Sequence, residues 1–295
     1  MIKIFTPKNW RTYEILDTGE GQKLERLGEY LFIRPLEDAV WNKTLPEGQW
    51  DEFDGKFWSS KVGAKPGWKL NSKVSPKWVV EYDGIKFWAL PTPFRHFGFF
   101  PEQASHWEFI EDKIKEAKAK SDRPIKFLNL FGYTGVASLF ALRAGAEVTH
   151  LDASKSILNM AKDNQKLSGL EEMPMRVIAD DAMKFLEREA KRGNKYDAIV
   201  LDPPKFGRGP KGEVWKIEES LAELLIKVRK VLSDDPLFVI VTSYATESSA
   251  LSLGYALENA MTDLNGSTTQ GELCLVEQSS NRNISLANTA VWSRD

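Results

Sequence analysis

The sequence predicts an α/β fold: a doubly wound, mostly parallel, seven-stranded Rossmann-like sheet closed by an antiparallel C-terminal hairpin, preceded by a small β-rich domain. Three observations carry this. From Lys126 to Leu142 the chain reads KFLNLFGYTGVASLFAL, a strand-length apolar run that meets a Gly-x-x-Gly turn at Gly132 and Gly135 and passes into helical apolar spacing. The same alternation of strand and helix then repeats toward the C-terminus. The first ninety residues break that rhythm, with short alternating runs punctuated by Gly and Pro, and seven of the ten tryptophans fall within the first hundred residues.

In chain order, residues 1–90 are expected to form the β-rich domain, with alternating runs from Trp78 to Tyr82 and from Ile85 to Leu90. Between Gly55 and Val80 stand six lysines (Lys56, Lys61, Lys65, Lys69, Lys73, Lys77) and no acidic residue, interleaved with Trp58, Trp68 and Trp78. Cations with aromatics can hold single-stranded RNA through phosphate contacts and base stacking. The same residues serve equally as a small aromatic core beneath a lysine-solvated surface whose charges guard edge strands. Residues 91–124 link the domains through HFGFFPEQASHWEF and a charged helix, Ser105 to Lys120. Gln103 and its aromatic neighbours either roof a cofactor or dock the linker onto a core.

Residues 125–295 form the larger domain. Strand Phe127 to Phe131 leads to a helix ending near Gly145, and strand Glu147 to Leu151 to a helix from Ser154 to about Leu167, stopped at Gly169. Strand Met175 to Ile178 precedes a helix from Ala182 to about Arg192, stopped at Gly193. Strand Tyr196 to Leu201 is followed by the loop GRGPKGEVW, a helix from about Ile217 to Leu232, strand Leu237 to Ser243 and a helix from Ser248 to Met261. The closing strands, Glu272 to Gln278 and Ser285 to Trp292, are separated by a polar turn too short for a crossover helix, so they should pair antiparallel.

Composition narrows the chemistry. With 42% apolar residues, 295 residues can bury one sizeable core or two modest ones. No run approaches the roughly 20 apolar residues that span a bilayer, and MIKIFTPKNW has no secretory signal, so a cytoplasmic protein without a membrane partner is expected. One cysteine, Cys274, forms no intramolecular disulfide and no cysteine cluster; His96, His106 and His150 lack metal-ligand spacing, so no metal is expected. A net charge of −2 leaves any nucleic-acid contact to a local patch.

Three strand ends supply the candidate site. The Gly132–Gly135 turn opens a helix whose N-terminus favours a carboxylate or phosphate. Asp152 ends the next strand, 20 residues after Gly132, the interval at which an acidic residue accepts a ribose hydroxyl. Asp202-Pro203-Pro204-Lys205 ends a further strand, with the proline pair stopping it and leaving a carboxylate at its tip. A dinucleotide site wants glycine where Thr134 stands, beside Tyr133, and the G-x-x-x-x-G-K-[ST] pattern is missing. S-adenosylmethionine (SAM) fits better: its amino-acid moiety at the loop, its ribose at Asp152, and its adenine amine at a carboxylate after the third strand, where Asp180 and Asp181 stand. Asp152 and Asp180 can each cap the following helix instead. Lys205 is either a substrate or phosphate contact or a solvated loop lysine.

These residues carry a resemblance. FLNLFGYTGVASLFALRAGAEVTHLDASKSILNMAKDNQKLSGL, then IADDAMKFL, then YDAIVLDPPKFGRG resemble the class I SAM-dependent methyltransferases, and among them the family of bacterial 23S ribosomal RNA methyltransferases of the cytosine-C5 and guanine-N7 types, from about Phe97 to the C-terminus. The resemblance implies that Asn129, Gly132, Tyr133, Thr134 and Gly135 form the cofactor loop, that Asp152 with Ala153 takes the ribose and Asp181 the adenine, that Asp202-Pro203-Pro204 faces the methyl acceptor, and that S-adenosylhomocysteine (SAH) is the product. Where the family carries D-Q-R, this chain has Glu102-Gln103-Ala104 and keeps only the glutamine. Where the cytosine-C5 branch carries a nucleophilic cysteine after the fifth strand, this chain reads Thr242-Ser243-Tyr244. Carbon methylation needs a thiolate to activate the base, and neither hydroxyl ionises readily at neutral pH. Cys274, on a later strand, reads as a buried small hydrophobe. The expectation is methylation of a nitrogen or oxygen acceptor on RNA, ribosomal RNA first. A protein side chain, a small molecule, or an RNA-binding protein without activity are the alternatives.

Overall fold

The computed structural model describes residues 1–8, 10–58, 66–208, 214–244 and 248–294, with Arg208 described by its backbone alone. The chain divides into two compact units. One comprises Met1–Phe5, Ser105–Leu273 and the residues from Leu286 on; the other comprises Thr6–Ala104 and Cys274–Ser285. The segment 91–124, expected as a linker, is shared between them, and the tip of the C-terminal hairpin belongs to the second.

The first unit is built on an eight-stranded sheet in the order Lys3–Phe5, Ser267–Val276, Asn283–Ser293, Phe238–Ser243, Ala198–Leu201, Lys126–Leu130, Glu147–Asp152, Met175–Ala179. The last five are mutually parallel, while Asn283–Ser293 runs antiparallel to Phe238–Ser243. The seven expected strands are present. The eighth, Lys3–Phe5, was assigned to the β-rich domain by sequence; it pairs parallel with Gly271–Leu273 at the edge of the sheet. Two strands not expected from the sequence, Phe206–Arg208 and Val214–Lys216, form a small antiparallel hairpin inside the stretch read as a loop. Residues 209–213 of that stretch lie outside the described residues.

Alternation along each strand sends side chains to two faces. Leu128, Leu130, Leu151, Ile199, Leu201, Val239 and Val241 face the buried sides of the helices Ala182–Arg192, Ile217–Val231 and Ala250–Ala260. Phe127 faces the other way, toward Phe238 at 6.4 Å between ring centroids. On that side the helix Ala104–Lys120 brings Trp107 onto Phe140 at 5.6 Å and Phe109 onto Phe238 at 5.4 Å, and Arg143 grips the buried Glu111. Asn129 and His150 share the Phe127 face, two residues on and paired in register, which places two polar side chains under the helix Val136–Arg143.

The second unit holds a five-stranded sheet in the order Tyr13–Gly19, Gln22–Leu27, Tyr30–Pro35, Gly55–Trp58, Gly67–Leu70, and the hairpin Trp78–Tyr82 with Ile85–Ala89. Trp68 lies against Phe32, Phe57 and Phe97, with centroids 5.7, 5.3 and 5.0 Å away, and donates its indole N–H to the Thr92 carbonyl. Trp78 packs on Tyr30 and Phe32. Trp68 and Trp78 thus pack within an aromatic cluster, as the core-forming reading of the stretch has it, and Trp68 stays partly exposed. Trp58 is 42% exposed and Lys69 is exposed, whereas Lys73 pairs with Asp54 and Lys77 lies over the Trp88 ring. Lys61 and Lys65 lie outside the described residues.

Candidate active site

The strand order reverses between Lys126–Leu130 and Ala198–Leu201: from the first the chain winds outward to Glu147–Asp152 and Met175–Ala179, then returns to the other side. Ligands of open parallel sheets bind at the carboxyl ends of strands flanking such a switch point. Leu130 is in register with both Leu151 and Leu201, and Asp152 with Ala179, so the four strands end level. That edge therefore aligns Asp202, the loop Phe131–Gly135, Asp152 and the Asp180–Asp181 pair in one row.

The loop is a strained backbone. Phe131, Tyr133 and Gly135 have positive φ of 55°, 50° and 85°, and such conformations in bulky residues collect at functional sites where the surroundings enforce them. At Gly132 a side chain would overlap the His150 ring, and at Gly135 a Cβ would come within 2.9 Å of the Ala161 Cβ, so both glycines answer to packing beneath the loop. No side chain caps the helix that follows. Its first turn thus presents backbone N–H groups and a positive dipole end at the sheet edge.

Beneath the loop runs a buried polar chain. The Asn129 amide donates to Ser138 Oγ (3.0 Å), Ser138 Oγ lies 3.0 Å from His150 Nδ1, and His150 Nε2 lies 3.2 Å from the Tyr133 carbonyl. A carbonyl only accepts, so Nε2 carries the proton and Nδ1 takes the Ser138 hydroxyl proton. Burial lowers the His150 pKa to about 4, against the contrary effect of its bond to Tyr133. Asn164 donates to the next carbonyl, Thr134, at 2.9 Å. Asn129, placed in the cofactor loop by resemblance, is 4% exposed and supports that loop from below.

Asp152 ties the loop to its own strand end. One carboxylate oxygen accepts from the Tyr133 N–H (3.1 Å) and the other from the Ser154 N–H (2.9 Å), with a further bond from Ala153. Burial raises its pKa, opposed by those three backbone bonds. A carboxylate has about four lone-pair sites and three are taken, so room remains for one ligand hydroxyl. After the third strand, Asp181 caps the helix Ala182–Arg192 by accepting from the Lys184 N–H at 3.0 Å. Asp180, for which capping was the alternative to binding, accepts the Asp181 N–H and pairs with Arg188.

On the other side of the switch point, Pro203 is buried, Asp202 half-buried, and Pro204 and Lys205 exposed. The Trp215 indole donates to the Pro204 carbonyl at 2.6 Å, and its ring packs on Phe131, centroids 5.7 Å apart. Trp215 gave no signal in the sequence because its partner is a backbone carbonyl and its strand is short. Thr242 and Ser243 are buried, and Cys274 is 1% exposed. Gln103 ends a short 3-10 turn, Pro101–Gln103, in the second unit. A cavity of about 470 Å³ lies at the opposite, amino-terminal ends of the strands, lined by Lys126, Glu147, Arg176, Glu189 and Tyr196, away from every residue of the row. Among the described residues no group of His, Cys, Asp and Glu forms a metal cluster, and no helix is long and apolar enough to cross a membrane.

The chain is similar over nearly its whole length to a SAM-dependent methyltransferase from Agrobacterium tumefaciens, at 38% identity and a TM-score of 0.93, covering 99% of this chain and 94% of that one. This chain belongs to the SAM-dependent methyltransferases. It is an enzyme whose cofactor is SAM, and the groups at the sheet edge suit that molecule: an accepting carboxylate after the second parallel strand, further accepting carboxylates after the third, and an uncapped helix N-terminus that donates beside them. Residues 111–255 match the family described as Conserved hypothetical protein 95. Ribosomal RNA large subunit methyltransferase I of Aeromonas salmonicida is 35% identical over 129 residues, 43% of this chain and 31% of that protein. The chain thus spans about a third of that curated relative. A putative SAM-dependent methyltransferase from Streptococcus mutans shares the fold at a TM-score of 0.73 and 15% identity, covering 97% of this chain and 76% of that one.

Proposed function

We propose that this methyltransferase acts on a nitrogen of RNA, with ribosomal RNA the first candidate, and without a cysteine-nucleophile step. The observation that carries the reading is the position of Asp202-Pro203-Pro204: at the switch point, on a strand that ends level with the cofactor loop. SAM supplies an electrophilic sulfonium methyl whose charge is relieved as the new bond forms, so positioning and desolvation do most of the catalysis. The Asp202 carboxylate and the Pro203 carbonyl accept the N–H of the acceptor and face a nitrogen whose positive charge grows. Lys205, exposed beside them, reaches a phosphate. Asp152 with Ala153 takes the ribose, Asp181 the adenine amine with Asp180 behind it, and the loop Gly132–Gly135 the amino-acid moiety.

The absence of a thiol in Thr242-Ser243-Tyr244 supports nitrogen over carbon. The names of the curated relatives support RNA, as do the exposed Trp58 ring and Lys69 of the second unit. Incubating the enzyme with tritiated SAM and the RNA, protein and small-molecule fractions of cells lacking this gene tests the reading. Label in the RNA fraction, on a base nitrogen after nuclease digestion, is expected; label in protein or small molecules would replace it. Asp202→Ala is expected to spare SAH binding and to lower turnover, and the opposite pattern would exchange its role with that of a cofactor ligand.

A further inference from the structure

We infer that His150 is a positioning residue for cofactor binding: its neutral Nε2–H tautomer holds the Tyr133 carbonyl beneath the loop and thereby sets the face that the loop turns to the ligand. The inference rests on the assignment of the Gly132–Gly135 loop to SAM. Four observations converge on this ring. It is fully buried, on the same strand as Asp152 and two residues before it. It occupies the space that forbids a side chain at Gly132. One nitrogen meets the Tyr133 carbonyl at 3.2 Å, and the other closes the chain through Ser138 to Asn129.

The chain has a direction. Asn129 donates to Ser138, whose hydroxyl then has its proton left for Nδ1, which leaves Nε2 to carry the ring proton toward Tyr133. Three buried side chains thereby fix one tautomer without a charge. A trans peptide places its C=O and N–H on opposite sides, so pinning the Tyr133 carbonyl inward turns the following peptide N–H outward. Asn164 likewise pins the Thr134 carbonyl, while the Gly135 N–H that follows it is held within the loop by the Gly132 carbonyl at 3.0 Å. Tyr133 sits at a positive φ that a bulky residue does not hold by itself, so the loop depends on these anchors.

The test compares SAH binding by calorimetry in the parent, His150→Phe and His150→Gln, with circular dichroism melts as the folding control. Phenylalanine keeps the ring volume and removes both nitrogens, and with them the bond that holds the Tyr133 carbonyl; affinity is expected to fall about tenfold or more. Glutamine keeps a donor at the Nε2 position and is expected to return to within about threefold of the parent. A His150→Phe variant that folds and binds like the parent, or a glutamine variant no better than phenylalanine, would overturn the inference by showing that the ring only fills space. If the phenylalanine variant does not fold, nitrogen NMR of the parent decides: an Nε2-protonated His150 whose shift moves on SAH addition supports the inference, and an Nδ1-protonated or unresponsive ring overturns it. A parent with no SAH affinity would instead defeat the assignment of the loop itself.

Discussion

Both units bury polar side chains, but they keep them satisfied in opposite ways. Under the cofactor loop, Asn129, Ser138 and His150 form a neutral relay in which each linking proton has an acceptor. In the second unit the buried polar cluster is ionic. Glu25, fully buried, accepts from the Tyr13 hydroxyl at 2.6 Å and from Arg34 through two nitrogens, one at 2.7 Å, with Lys23 at 3.3 Å. Arg34 also donates to the Arg95 carbonyl and lies over the Phe97 ring. A neutral relay fixes orientation, and losing a member costs it the hydrogen bonds left unmade. A buried ion cluster has its desolvation offset only while each charge keeps its partner, so it is the more fragile of the two.

The largest expected effect breaks that cluster. Glu25→Gln leaves Arg34 and Lys23 buried against a neutral amide, and the second unit should lose about 3–5 kcal/mol, read as a fall in the denaturant midpoint. Burial pushes the Glu25 carboxyl up, but the Arg34 and Lys23 charges, with hydrogen bonds from Arg34 and Tyr13, bring it down to about 2. A carboxyl held below its unfolded value near 4.5 contributes stability that is present above pH 4.5 and lost as pH falls toward 2. The parent should therefore weaken across that acid window, and the glutamine variant should lose this dependence. Equal acid sensitivity in both would locate the acid-labile group elsewhere.

Next comes Asp152, where a single carboxylate serves both the loop and the proposed ribose. Asp152→Ala should weaken SAM binding by about 1.5–3 kcal/mol, the scale of hydrogen bonds to a charged group. It also removes the acceptor of the Tyr133 N–H, so the loss should be larger than that of Asp152→Asn, which keeps one acceptor oxygen. Unchanged affinity by calorimetry would remove Asp152 from the site.

The sequence carried the catalytic unit more fully than the other one, for a physical reason. Strand ends at a switch point are marked locally: Gly132 and Gly135 by the turn, Asp152 by its interval, Asp202 by the proline pair. Their support is not local. His150 sits in a strand that reads simply as EVTHL, and its partners Ser138 and Tyr133 lie 12 and 17 residues away. In the second unit, Lys23 and Glu25 alternate with apolar residues as a solvated strand face would, and only the fold reveals that Arg34 and Tyr13 close over them. The three-residue strand Lys3–Phe5 was illegible because its pairing with Gly271–Leu273 joins opposite ends of the chain. The hairpin Phe206–Arg208 with Val214–Lys216 was hidden by Gly and Pro, which read as loop.

A smaller effect separates capping from binding at the third strand end. Asp181→Ala removes the cap of the helix Ala182–Arg192 and should cost about 1 kcal/mol of stability, seen as a lower melting temperature. If Asp181 also takes the adenine amine, SAH affinity falls in Asp181→Ala and stays low in Asp181→Ser even though the serine restores the cap. A variant in which capping and affinity recover together would show that the helix end matters to the cofactor only through its geometry.

The smallest effect concerns the pair between Asp180 and Arg188, whose guanidinium side chain is 43% exposed. Exposed pairs contribute about 0–1 kcal/mol, so Arg188→Ala should barely move the melting temperature. Its value lies in what it does to the two neighbouring carboxylates. Asp180 has one oxygen on the Asp181 N–H and the other on Arg188, whereas Asp181 uses one oxygen for its cap. With Arg188 gone, Asp180 gains a vacant oxygen and Asp181 is unchanged. If Asp181 is the adenine acceptor, SAH affinity in Arg188→Ala stays within about twofold of the parent, since an exposed pair removed at a distance carries little energy. A clear gain in affinity would assign the adenine amine to Asp180, held back in the parent by its arginine, and would move the cofactor contact one residue along the chain.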